Sequence, residues 1–168
     1  MDYVVLVLRL IHIVGGIAWV GGALTMTLYV GPAAAELQET GQQFMRQLML
    51  RTRFTQAMTG AAIMTVLAGA ILYARDMSAG AAWQTSGPGI GYGVGAAFAI
   101  VGLGAGMVFG MTSRAMARLG DSIKGKPSDA QTADLAKLRG RLNFVGRVNV
   151  VSLLIAAGLM AIARYLVF

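Results

Sequence analysis

Residues 4–30 read VVLVLRLIHIVGGIAWVGGALTMTLYV, an apolar run interrupted by one charge, Arg9, and by the only histidine of the chain, His12. A helix needs roughly 20 residues to cross about 30 Å of hydrocarbon. The run exceeds one upright crossing, so it predicts a helix that tilts or projects from the bilayer, with Arg9 snorkelling to the nearer interface. It lacks the short apolar core and small-residue cleavage site of a removable leader and reads as a retained helix, which Gly31-Pro32 is expected to close.

Three more runs of spanning length follow at about 54–74, 90–112 and 145–166. With 57% hydrophobic and 12% charged residues, a 168-residue soluble domain has more apolar surface than it can bury. The reading is therefore an all-α bundle of four transmembrane helices, one domain over 1–168, with basic loops at about 33–53 and 113–144. Eleven of the fourteen Lys and Arg residues lie in those loops or at their edges; Arg9, Arg75 and Arg164 lie towards the other side. The asymmetry places the loops in the cytoplasm and both termini on the extracytoplasmic side of an inner, bacterial-type membrane. Tyr3, Tyr73, Trp83, Tyr92 and Tyr165 then form an outer aromatic belt. The net charge of +7 sits beside the bilayer, so anionic lipid headgroups, and not nucleic acid, are its expected partners.

Residues 42–54 read as a basic helical extension, and Ser128-Asp129-Ala130-Gln131 has capping-box spacing before a short helix at 133–138. Gly125-Lys126-Pro127 is a polar break, and Gly87-Pro88-Gly89 belongs to the outer turn. In the third span, Gly91, Gly95 and Ala99, then Gly102, Gly106 and Gly110, recur every four residues. Such ridges let backbones approach closely. They serve packing inside the bundle, a homo-oligomeric interface, or a flat cofactor.

His12 and Trp19 are seven residues apart, two helical turns, and so share one face. Arg9, His12, Gly16, Trp19, Ala23 and Met26 form a stripe on that face. An ionisable side chain within a span marks a functional candidate. The fourth helix runs parallel to the first and carries Met160 at the depth of His12, with Arg164 nearer the interface. A His12/Met160 pair suits haem iron, with Arg9, Arg75 or Arg164 meeting the propionates, or begins a Cu(I) site through the soft thioether. The alternatives are that His12 donates to a carbonyl on a neighbouring helix and that Met160 fills a packing gap. Met107 and Met111 lie at the depth of Met26 and suggest a second methionine group. Asn143 and Asn149 read as inter-helix hydrogen bonders. All seven acids lie outside the spans, and there is no cysteine, phosphate loop or nucleophile-base set, so no catalytic residue is assigned.

The pattern His12, six residues, Trp19, Gly21-Gly22, then an apolar stretch to Gly31-Pro32 resembles the opening helix of the CopD-like and HemJ-like membrane proteins, and Leu159-Met160-Ala161-Ile162-Ala163-Arg164-Tyr165 is similar to the ending of uncharacterised four-helix relatives. The resemblance implies a helical bundle in which His12 ligates haem or copper and Trp19-Val20-Gly21-Gly22 forms its platform. CopD-type proteins are associated with copper uptake, and HemJ-type proteins are haem-binding protoporphyrinogen oxidases. This chain departs from the latter: Lys124, Lys126 and Lys137 all lie in the last loop, and Met26-Thr27 stands where Pro-Arg is expected, which leaves enzymatic activity open. The resulting expectation is a haem b protein with an electron-transfer or haem-related role. Its rivals are a copper-related membrane protein and a cofactor-free accessory protein. Bis-histidine ligation requires a second copy of the chain.

Overall fold

The computed structural model describes residues 2–167, which are about 90% helical, with no strand among them. Helices α1 (Tyr3–Thr25), α4 (Phe54–Met77), α6 (Gly87–Ser122) and α7 (Asp129–Ile162) carry the four membrane-crossing segments, joined by shorter helices α2 (Gly31–Glu36), α3 (Gln38–Arg51) and α5 (Ala81–Gln84). The expected four-helix architecture is therefore present. Two antiparallel pairs build it, α1 with α4 and α6 with α7. Both chain ends lie at one end of the bundle, where Asp2 pairs with Arg75 at the end of α4 and Leu166 covers Gly87 at the start of α6.

Several boundaries differ from the sequence reading, each for a local reason. Gly31-Pro32 does not close the first helix. Pro32 has no N–H and would crowd the carbonyl of Leu28 in a straight α-helix. The backbone instead widens into a π turn at Met26–Val30, with the Gly31 N–H reaching the Met26 carbonyl, and continues as α2. Gly87-Pro88-Gly89 is the first turn of α6 and not a loop: Ser86 caps it, and Pro88 falls where a missing N–H costs nothing. The capping box at Ser128 and Gln131 forms as expected. It opens no separate short helix, because residues 133–145 contain no proline and the helix runs unbroken into the membrane-crossing part. The extension expected at 42–54 is α3, set off from α4 by Thr52 and Arg53 and packed against α6. Gln38, at φ +49, makes the reversal between α2 and α3, and Gly41 fits there because a side chain would strike the Ala34 carbonyl.

The core is layered at seven-residue intervals. Trp19, Ala62 and Leu153 form a buried cluster, and Leu153 presses on Gly102, where an added Cβ would lie 2.7 Å from its Cδ2. Seven residues towards the chain-terminal end on each helix are His12, Gly69, Gly95 and Met160. His12 rests on Gly69, and Met160 rests on Gly95. Seven residues the other way are Met26, Thr55, Phe109 and Gly146, with Phe109 on Gly146. A seven-residue recurrence is the signature of left-handed helix packing. Glycine supplies the hole for the larger neighbour in each layer, so shape, and not apolar burial, joins the helices in lipid. The outward face of α1 exposes Leu6, Leu10, Ile13 and Ile17, as a lipid-facing surface does.

Candidate functional site

His12 lies half-buried between α1 and α4, with Nδ1 2.8 Å from the backbone carbonyl oxygen of Thr65. That carbonyl is accessible because the residue one turn later is Gly69: a Cβ there would sit 2.7 Å from Cε1 and 2.8 Å from Nδ1 of the imidazole. The device recurs in two further contacts, one of them made by Tyr73, whose hydroxyl donates to the Gly89 carbonyl at 3.4 Å beside Gly93. Asn149 donates from Nδ2 to the Gly102 carbonyl at 2.6 Å, and Gly106, again four residues later, leaves the approach open. Each of these inter-helix hydrogen bonds to a backbone carbonyl thus uses a glycine one turn beyond the accepting residue. Asn149 fulfils its expected bonding role, whereas Asn143 is exposed on α7.

Because a carbonyl oxygen only accepts, Nδ1 carries the proton in this contact, and in the neutral imidazole the lone pair is then on Nε2. Met160 shares the layer of His12, seated on Gly95 with its Cγ 3.2 Å from the Cβ position. Arg9 and Arg164 lie one turn beyond this layer, both exposed; Arg164 donates to the Tyr165 hydroxyl and stands 4.5 Å from the centre of that ring. The third arginine at this end, Arg75, is paired with Asp2 at 3.0 Å. Trp19 is 5% exposed and packs below His12 against Ala62 and Leu153, so it is a core residue that also borders the next feature.

That feature is a cavity of about 240 Å³ on the basic-loop side of Trp19, bordered by Met26, Met49, Met58, Met107, Met111 and Arg114. The suspected group of Met26, Met107 and Met111 is real, and α4 and α3 each add a methionine to it. Sequence spacing held no signal for these additions: Met49 enters only because α3 folds back against α6, and Met58 because α4 pairs with α1. The glycine ridge of α6 is consumed within the chain, its members meeting Ala163, Met160, Leu153, Asn149 and Thr55. Among the described residues no group of three or more His, Cys, Asp or Glu side chains converges on one point. No family model, curated protein or solved structure matches this chain.

Proposed function

We propose that this protein resides in a bacterial cytoplasmic membrane, within the CopD-like and HemJ-like group it resembles, and binds haem b through Nε2 of His12 in an electron-transfer or haem-related role. The observation that carries the reading is the hydrogen bond from His12 Nδ1 to the Thr65 carbonyl. Ligating histidines commonly commit their second nitrogen to a carbonyl or carboxylate, which sets the tautomer and ring orientation and raises the basicity of the ligating nitrogen. A bound haem would supply one-electron chemistry. Of the chain's own residues, His12, oriented by the Thr65 carbonyl, would hold the iron, Met160 in the same layer would offer a thioether, and Arg9 and Arg164 would meet the propionates. In a homo-oligomer, His12 of a second copy would take the place of Met160 as the other ligand.

Copper is a second reading, favoured by donor chemistry: an imidazole at His12 and a thioether at Met160 share one layer in a chain without thiolates, and such donors suit Cu(I). The bond to Thr65 also satisfies the imidazole with no cofactor present, so the deciding test must remove ligation and keep the bond. Absorption spectra of the detergent-purified protein, oxidised and dithionite-reduced, are compared with those of His12→Gln, which retains an amide donor for Thr65, with metal analysis on the same samples. The expected result is a Soret band lost in the variant. Stoichiometric copper without that band selects the second reading. A colourless, metal-free wild type that stays so after haem reconstitution overturns both and leaves a cofactor-free accessory protein.

A further inference from the structure

The cavity below Trp19 belongs neither to the His12 layer nor to its chemistry. We infer that it holds one acyl chain of an anionic phospholipid from the leaflet beside the basic loops, with the phosphate at Arg114.

Four observations converge on this occupant. The cavity has about 240 Å³ of free space, more than the roughly 150 Å³ dry cavity known to accept benzene. Its walls are methionine-rich, and unbranched thioether side chains adjust to a flexible apolar guest. Its exposed lining residues place the mouth on the side of the bundle, between α4 and α6. Met107 and Met111 line the cavity yet are 59% and 62% exposed, and Thr59 across from them on α4 is exposed as well. Near the chain-terminal end, by contrast, α4 and α6 are held together, with Tyr73 donating to the Gly89 carbonyl and its hydroxyl against Gly93. A guest therefore enters sideways from the bilayer and not from water. The fourth observation is charge. Arg114 is the only charged residue bordering the cavity, it lies where α6 leaves the apolar segment, and among the described residues it forms no ion pair. A guanidinium in that position binds phosphate bidentately. Farther along α6, Asp121 is paired with Arg46 at 3.1 Å and does not compete for Arg114.

Trp19 borders the cavity while being 95% shielded, so it reports on the interior. In the Trp83→Phe background it is the only tryptophan. The protein is placed in vesicles containing either phosphatidylglycerol or phosphatidylcholine with brominated acyl chains, and quenching of Trp19 is measured against lipid mole fraction. Native mass spectrometry of the same preparations counts retained lipid without reference to fluorescence. Brominated phosphatidylglycerol is expected to quench at about fivefold lower mole fraction than brominated phosphatidylcholine, the advantage one arginine near a membrane surface confers. Arg114→Gln should remove that preference. Gly110→Leu, which fills the cavity from a position where an added Cβ has room beside Thr55, should abolish quenching by both lipids and the retained lipid peak. Equal quenching by the two headgroups, or a preference unchanged in Arg114→Gln, overturns the assignment of the phosphate. Quenching undiminished in Gly110→Leu, or absent throughout, overturns the cavity as an acyl site. The fluorescence is read in the His12→Gln protein, because haem two turns away would itself quench Trp19, and the lipid count by native mass spectrometry does not depend on haem.

Discussion

Gly69 decides what His12 does. The imidazole reaches the Thr65 carbonyl only because no side chain stands one turn later, and an alanine methyl would intrude to 2.7 Å of the ring. Gly69→Val is therefore expected to displace the ring, cost about 1 kcal/mol of bundle stability, the scale of a side-chain hydrogen bond within membrane helices, and lower haem loading as far as His12→Gln does. Thermal unfolding in detergent combined with the Soret absorbance checks both effects. Full loading of a Gly69→Val protein that unfolds at the wild-type temperature would contradict the role of the Thr65 bond. His12, Trp19 and Met160 stood out in the sequence by type and spacing. Gly69 did not, because its importance comes from an imidazole on another helix.

At the scale of elements, the four apolar runs were legible and their ends were not. Hydropathy follows the bilayer, whereas helix length follows hydrogen bonding and capping, so α6 and α7 continue past the membrane-crossing runs on polar residues. At 36 and 34 residues they are about 54 and 51 Å long by helical rise, well beyond the hydrocarbon. The capping box at Ser128 is what starts α7 so early. Ser128→Ala should cost about 1 kcal/mol locally, read as faster amide exchange over residues 129–133 with no change in the membrane-embedded part. Exchange that accelerates evenly along α7 would show that the cap stabilises the whole helix. The closed α6–α7 pair depends on Gly102, where Leu153 fills the space, and Gly102→Leu should destabilise by about 1–3 kcal/mol through overpacking.

For the whole molecule, the distribution of charge predicts how it sits in a membrane. The basic loops and their edges hold eleven of fourteen cations, and the structure gathers both termini at the opposite end. Because the chain has no cysteine, single cysteines report cleanly on sidedness. In intact cells, Ala79→Cys should react with an impermeant maleimide, and Ala130→Cys should react only after lysis. The reverse pattern would invert the orientation, and with it the leaflet that serves the Arg114 cavity.

The sequence by itself determined the number of spans, their up-and-down order, the side on which the positive charges gather, and the shared face of His12 and Trp19. These follow from local composition and helical periodicity, which act within one segment. Only the tertiary structure decided which glycine receives which large side chain, that His12 donates to α4, that the α6 ridge is spent within the chain, mostly on α7, and that methionines from four helices surround one cavity. In lipid, apolar side chains do not sort themselves by hydrophobicity, so partner choice rests on complementary shape and a few polar contacts between segments distant in sequence.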